Sequence, residues 1–232
     1  MDRRQFLATS AAAGGALILG GNSPLPQAKA IADGGPLARP KEGLINVAIA
    51  VSEATTFIDF VGPNSAFESW HFDPADGKHH KRFQTYYVSE RAGPVGKLIA
   101  DYSFEDCPPP HIVLVPAQRG SEALLEWLKA VVGKADVTMS VCVGARHLAK
   151  AGLLDGMVAT THSESVDGYI KEFPSVKWVK GMRFVEGGKI STGGGLTAGI
   201  DLGLRVVERY FGREQALKVA EHLEYESKGW IL

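Results

Sequence analysis

The stretch VTMSVCVGARHLAKAGLL, residues 137–154, decides the fold of this protein. Its first six residues form a short, mainly apolar run bounded by turn signals, which predicts a buried strand over residues 137–142. The pattern from Gly144 to Leu154 predicts a helix that follows the strand almost at once. Such a strand–turn–helix elbow raises the side chain at the turn, here Cys142, and Gly144 lets the backbone close beneath it.

The same alternation of strand and helix extends outward in both directions along the chain. Alternating strands and helices form βαβ units, in which a parallel sheet is covered on both faces. The sequence therefore predicts an α/β fold with a mostly parallel sheet. The predicted strands are 44–51, 82–89, 111–115, 137–142 and 157–161, with a hairpin over 183–191; the predicted helices are 60–72, 121–132, 144–154, 196–210 and 214–224, with a further helix that begins at a Thr161/Glu164 capping box and reaches Phe173.

Composition limits the classes of function that need to be considered. The chain has 232 residues, 45% of them hydrophobic and 22% charged, with a formal net charge of -1. These values are typical of a globular protein with room for one well-buried domain. The absence of a Lys/Arg run gives no support to nucleic-acid binding. Two cysteines are too few for a disulfide scaffold.

The first thirty residues have the pattern of an export signal. The stretch DRRQFL at 2–7 is followed by an apolar run at 11–19 and by small residues at Ala28 and Ala30. We predict a twin-arginine signal peptide over residues 1–30, with an uncleaved anchor as the alternative. The Gly-, Pro- and Ala-rich residues 31–43 are predicted to be a flexible tether, and the domain covers 44–232. The twin-arginine translocase is then a partner, and the location periplasmic or secreted.

Several chemically capable residues follow predicted strands. Asp59 follows the strand at 44–51, Ala117 and Gln118 follow 111–115, Cys142 ends 137–142, and His162 follows 157–161. Ligands of open α/β sheets bind outside the carboxyl ends of the strands, where these residues should meet. We therefore predict a catalytic set of Cys142, Asp59 and His162.

Each of these groups has a chemical role that fits its type. The start of the helix after Cys142 should favour thiolate over thiol, and an imidazole exchanges protons near neutral pH. Backbone N–H groups at Val143, Gln118 and Ala117 are candidate donors to a developing oxyanion. In the alternative interpretation, Cys142 is a buried small hydrophobic residue with no chemical role.

Three stretches identify a family resemblance: FIDFVGP at 57–63, SVCVG at 140–144 with its continuation to His162, and TGGGLTAGID at 192–201. They resemble the ThiJ/PfpI superfamily of class I glutamine-amidotransferase-like domains, specifically its isonitrile-hydratase branch, over about residues 44–225. The resemblance implies a flavodoxin-like three-layer sandwich, a nucleophilic Cys142 and an Asp59 that hydrogen-bonds the thiolate. It also implies a homodimer.

Two positions depart from the family pattern. Isonitrile hydratases carry a hydroxyl residue directly after the cysteine, and the intracellular peptidases of the superfamily carry histidine, whereas this chain has Val143. Where the family has Pro-Gly-Gly, this chain has Pro116-Ala117-Gln118. A backbone N–H survives at any residue other than proline, so Gln118 can still donate.

The sequence thus predicts a cysteine enzyme that acts on a small molecule without a cofactor or metal. The alternative is a non-catalytic ligand-binding or thiol-redox sensing domain of the same fold. The glycines at 193–195 do not open a first βα turn and so do not predict a dinucleotide site. We expect His147 on the surface, and a bridge between Cys107 and Cys142 stays open.

Overall fold

The computed structural model describes residues 29–31, 34–69, 71–73 and 75–231. Most of the predicted signal peptide lies outside these residues. The strands are β1 (Lys29–Ile31), β2 (Ile45–Ala50), β3 (His71–Asp73), β4 (Lys78–His80), β5 (Phe83–Ser89), β6 (Gly93–Val95), β7 (Leu98–Ala100), β8 (Tyr102–Ser103), β9 (Ile112–Val115), β10 (Val137–Val141), β11 (Val158–Ala159), β12 (Lys177–Trp178), β13 (Met182–Gly187) and β14 (Ile190–Gly193). The helices are α1 (Ile58–Glu68), α2 (Glu122–Val131), α3 (Ala145–Lys150), α4 (Val166–Glu172), α5 (Ala198–Phe211) and α6 (Arg213–His222).

The central sheet has the order β1-β13-β14-β10-β9-β2-β5-β8. Its pairs are parallel except for β13 and β14, which form the predicted hairpin. The α/β fold with a mostly parallel sheet is therefore confirmed. Because β2, β9 and β10 are adjacent and parallel, their carboxyl ends meet at one edge. None of the helices in the described ranges is long and apolar enough to cross a membrane.

Strand β2 shows how the sheet is covered on both faces. Side chains alternate across a strand, so Val47 and Ile49 join the core on one face while Ala48 and Ala50 join the core on the other. Both cores are buried, as expected for a strand that is apolar throughout. The first core includes Phe60, Phe67, Leu202, Val206 and Val207 from α1 and α5, and the second includes Leu124, Leu128 and Leu148 from α2 and α3.

Three predicted helix boundaries were wrong, each for a local reason. Helix α1 ends at Glu68 rather than residue 72, because Ser69 is extended and residues 71–73 pair with β4. Helix α3 ends at Lys150 rather than 154, and Gly152 follows with a φ of 74°, the left-handed backbone common after a helix C-terminus. Thr161 caps no helix, since α4 begins only at Val166.

Part of the predicted tether is bound to the domain. The Leu37 N–H donates to the Arg209 carbonyl at 2.8 Å, and Arg209 Nε donates to the Gly35 carbonyl at 2.9 Å. Arg205 donates to the Gly34 carbonyl at 2.8 Å and also pairs with the buried Glu186. Residues 34–37 therefore lie against α5, which the low-complexity composition of this segment does not indicate.

Candidate active site

Cys142 lies at the turn between β10 and α3, where the sequence predicts an elbow. Its φ is 57°, a left-handed conformation that residues other than glycine rarely adopt. Two hydrogen bonds hold this backbone: the Cys142 N–H donates to the Gly194 carbonyl at 2.9 Å, and Thr161 Oγ1 donates to the Cys142 carbonyl at 2.8 Å. The cysteine is 7% exposed, so a small part of it is open to solvent.

Gly144 brings the elbow against the turn that follows β9. A Cβ atom built on Gly144 would lie 2.1 Å from the Val115 carbonyl oxygen and 2.9 Å from the Pro116 carbonyl group. The φ of Gly144 is -56°, which any residue can adopt, so the requirement for glycine is one of space. This close approach sets the Cys142 turn beside the turn at 116–118.

We expect Gly144→Ala to lower the free energy of unfolding by more than about 3 kcal/mol, because the new methyl group meets backbone atoms that cannot rotate away. The matched control is Gly168→Ala in α4, where a Cβ meets nothing within 4 Å and alanine should stabilise the helix by up to about 1 kcal/mol. Urea unfolding followed by circular dichroism measures both. Equal stability of the two variants would contradict the close approach.

Asp59 is the second residue of α1 and is fully buried. Its Oδ2 accepts a hydrogen bond from the Ala117 N–H at 3.1 Å. The Cys142 thiol acts on the same carboxylate, whose buried Oδ1 has no hydrogen-bond partner among the described residues. Burial raises the pKa of Asp59 to about 6, although the Ala117 N–H, the charge of His162 and the Cys142 thiol all act to lower it.

The Cys142 thiol has a raised pKa, contrary to the thiolate that the sequence suggested. Burial is the largest cause and the negative charge of Asp59 the next, while the N–H groups of Val143 and Leu196 act in the opposite direction. Cys142 begins a three-residue 3₁₀ turn, and only the six-residue α3 follows that turn, so the helix dipole there is weak. At neutral pH the pair therefore holds one proton, on sulfur, beside an ionised carboxylate.

His162 lies at the same edge of the sheet. A Cβ atom on Gly195 would approach its ring to 2.6 Å, so the half-buried imidazole packs against the glycine-rich loop after β14. Its charge acts on Asp59. In the described part of the chain its ring makes no hydrogen bond, which leaves both ring nitrogens available to a bound molecule. The fold thus places Cys142, Asp59 and His162 at one edge of the sheet.

The three residues predicted to donate to an oxyanion make different hydrogen bonds in the structure. The Ala117 N–H is used by Asp59, so it is not open to a substrate in this arrangement. The Val143 N–H hydrogen-bonds the Cys142 sulfur. The Gln118 side chain donates from Nε2 to the Ala50 carbonyl at 2.9 Å, which ties it to β2. Sequence reasoning missed the Leu196 N–H, the second backbone donor to the sulfur.

Two other predictions, the surface position of His147 and the open question of a bridge between the two cysteines, have an outcome in the structure. His147, expected at the surface, is 6% exposed and its Nε2 hydrogen-bonds the Gln118 carbonyl at 3.1 Å. Cys107 and Cys142 are both free thiols, so no bridge joins them. In the described ranges no group of three or more His, Cys, Asp or Glu side chains is arranged to hold a metal ion.

A cavity of about 440 Å³ opens among the loops that follow β2, β5 and β9, and its lining does not include Cys142, Asp59 or His162. Gln118 is one of its lining residues, so it adjoins the turn that contacts Asp59. Its wall carries both charges and an aromatic ring, with Glu53, Arg91, Arg119 and Phe104 among the lining residues. The cavity therefore suits a small molecule with polar and apolar parts, and Gln118 is the residue that it shares with the turn beside Asp59.

Together these features define a class: flavodoxin-like α/β domains with a cysteine on a strand-to-helix turn and a buried carboxyl group beside it. The chain belongs to the DJ-1/PfpI family, whose family model matches residues 46–209. An isonitrile hydratase from Pseudomonas putida is 35% identical over 130 residues, which cover 53% of this chain and 55% of that protein.

The second kind of relative is a transcriptional regulator. The HTH-type transcriptional regulator CdhR from Pseudomonas aeruginosa is 32% identical over 106 residues, which cover 46% of this chain and 31% of the regulator. The match thus spans about half of the isonitrile hydratase and a third of the regulator. Among solved structures, a ThiJ/PfpI family protein from Pseudomonas syringae superposes with a TM-score of 0.66 at 26% identity, covering 79% of this chain and 76% of that one.

Proposed function

We propose that this protein is a cofactor-independent cysteine enzyme that acts on a small molecule, with isonitriles as the substrate class. The observation that carries the proposal is the Cys142–Asp59 pair, a buried thiol and a buried carboxylate that act on each other at the ligand-binding edge of the sheet. A carboxylate whose pKa is raised to about 6 suits a general base that must work near neutral pH. The likeness to an isonitrile hydratase supports the choice of substrate.

In the first step, both the sulfur and the proton of the thiol add to the terminal carbon of the isonitrile, R–N≡C. Asp59 takes the proton from Cys142 as the sulfur forms its bond to carbon, and the same proton is then delivered to that carbon. The product is a covalent thioimidate, R–N=CH–S–Cys142. Covalent catalysis of this kind divides one difficult reaction into two easier ones. Because Val143 brings no hydroxyl group, Asp59 and His162 are the side chains available for proton transfer.

The second step hydrates the thioimidate. Water gives a proton to Asp59 or His162 while its oxygen adds to the carbon, and the same side chain passes that proton to the nitrogen. The C–S bond of the tetrahedral R–NH–CH(OH)–S intermediate then breaks, which releases the formamide R–NH–CHO, and the hydroxyl proton passes to the sulfur. The sum is one isonitrile and one water converted to one formamide, with Cys142 regenerated.

Turnover of simple alkyl isonitriles tests the proposal. We expect the purified protein to convert them to N-substituted formamides, detected by chromatography and mass spectrometry, while matched reactive aldehydes and amides are left unchanged. The control is the same protein with Cys142 alkylated beforehand. Formamide production that survives alkylation, or no product from any isonitrile, would count against this function.

A non-catalytic ligand-binding or thiol-redox sensing role is the second candidate. The raised pKa of Cys142 and its burial favour it, because a protonated and sheltered thiol is less reactive than an enzyme nucleophile usually is. The likeness to CdhR points the same way. Saturable binding of a small molecule without any product in the isonitrile assay would support this role instead.

We also propose twin-arginine export to the periplasm or beyond and assembly as a homodimer. The export proposal rests on the paired arginines at 3–4 and the small residues at 28 and 30. The exposed apolar side chains of Phe57, directly before α1, and of Ile58 and Val61 in α1 support the dimer, because a partner subunit would cover them.

A further inference from the structure

The loop from Gly193 to Thr197 lies over Cys142 and touches it twice. The Gly194 carbonyl accepts the Cys142 N–H at 2.9 Å, and the Leu196 N–H hydrogen-bonds the sulfur. Leu196 has a φ of 49°, unusual for leucine, and its side chain is 41% exposed. Because its own side chain packs little, other residues must hold Leu196 in this conformation.

Arg183 in β13 contacts both ends of this loop. Its carbonyl accepts the Gly194 N–H at 2.9 Å, and its Nη1 donates to Thr197 Oγ1 at 3.3 Å. Its Nη2 donates to the Tyr225 hydroxyl at 3.2 Å, and that hydroxyl donates in turn to the Thr197 carbonyl at 3.4 Å. Three hydrogen bonds thus link one arginine and one tyrosine to the segment that carries the Leu196 N–H, and a fourth joins the arginine to the tyrosine.

Asp201 fixes the arginine. It is fully buried in the first turn of α5, and its Oδ2 forms an ion pair with the Arg183 guanidinium. The Ser227 hydroxyl donates to Asp201 Oδ1 at 3.0 Å. A Cβ on Gly229 would lie 2.8 Å from Asp201 Oδ2, so the segment after α6 packs directly on the pair.

We propose that Arg183, Asp201 and Tyr225 form a positioning cluster that holds the Gly193–Thr197 loop so that the Leu196 N–H stays on the sulfur of Cys142. None of the three touches the reacting atoms. They act through the loop, which makes β13 and the segment after α6 part of the site. As an aid to catalysis the cluster rests on the proposed function, but its effect on the thiol can be measured without any substrate.

The test compares Tyr225→Phe and Arg183→Lys with two matched controls in a Cys107→Ser background. Tyr225→Phe removes one hydroxyl. Arg183→Lys keeps the positive charge beside Asp201, but a lysine cannot donate to Asp201, Thr197 and Tyr225 at once. The control Tyr210→Phe removes a hydroxyl that donates to Asp136 at 2.8 Å, near the other end of α5. The control Arg205→Lys keeps a charge beside the buried Glu186.

The measurement is the rate of Cys142 alkylation by iodoacetamide across pH, together with thermal melting. Losing the Leu196 N–H removes a group that lowers the pKa of the thiol, so that pKa should rise. A rise of about one unit makes alkylation at pH 7 about tenfold slower. The titratable groups that interact electrostatically with the thiol, Asp59 and Tyr169, are unchanged in every variant. The two controls should alkylate at the rate of the parent protein.

An unchanged alkylation profile in a folded Tyr225→Phe protein would overturn the proposal, even if its melting temperature fell as far as that of Tyr210→Phe. Should Arg183→Lys fail to fold, Tyr225→Phe decides alone. A parent protein that hydrates no isonitrile, while Tyr225→Phe still slows alkylation, would remove the proposed function and leave the positioning cluster standing.

Discussion

Cys142→Ser should lower isonitrile turnover by at least about 10³-fold, because the hydroxyl that replaces the thiol is a far weaker nucleophile at neutral pH. The substitution changes one buried atom for a smaller one of similar shape. The Cys142 backbone is held by the Gly194 carbonyl and by Thr161 Oγ1, and neither bond involves the sulfur. The variant should therefore fold like the parent protein, and steady-state kinetics with thermal melting measure both expectations.

The matched control is Cys107→Ser, which changes the protein's other free thiol. Cys107 packs beside the core under α2, away from Asp59, and its replacement should leave turnover within about twofold of the parent value. Comparable turnover by the two serine variants would show that the reaction does not pass through Cys142.

The central strands were predictable because they are apolar and are bounded by turn residues. The elbow was predictable because Gly144 follows so soon after the end of β10. Apolar runs and turn residues do not predict very short strands. Strands β6 and β7 have three residues each on either side of Gly96, and no periodicity can be read over so few positions. The early end of α3 depends on one glycine, Gly152, inside an apparently helical pattern.

The main residues of the site could be placed from the sequence, but their electrostatics could not. The ends of strands predict that Asp59 and Cys142 meet, since all parallel strands present their carboxyl ends at one edge. Burial is the largest cause of the raised pKa of both groups, and it depends on contacts between segments that lie far apart in the chain. The Leu196 N–H and the Arg183–Asp201 pair were missed for the same reason, because long-range contacts leave no local pattern.

Asp59→Asn should lower turnover at pH 7.5 by about 10²–10⁴-fold, because asparagine cannot accept the thiol proton. In the parent protein, kcat/KM should fall as pH drops through about 6, where Asp59 gains a proton. In the Asp59→Asn variant, kcat/KM should no longer fall in this pH range. Asparagine can still accept the Ala117 N–H, so the turn at 116–118 keeps its anchor. The pH profile of kcat/KM for both proteins is the measurement, and Asp167→Asn, on an exposed ion pair, should match the parent.

Asp59→Asn should lower turnover but raise the free energy of unfolding. The pKa of Asp59 is raised from 3.8 when unfolded to about 6 when folded, so between these values the folded protein binds more protons. Its free energy of unfolding therefore decreases as pH rises through this window, and the ionised carboxylate costs the folded state about 2–3 kcal/mol at pH 7. Asp59→Asn removes that cost, and urea unfolding at pH 7 should show a variant more stable than the parent. A variant that is both inactive and less stable would instead indicate that Asp59 supports the fold, with the lost activity a consequence of disrupted packing around Cys142.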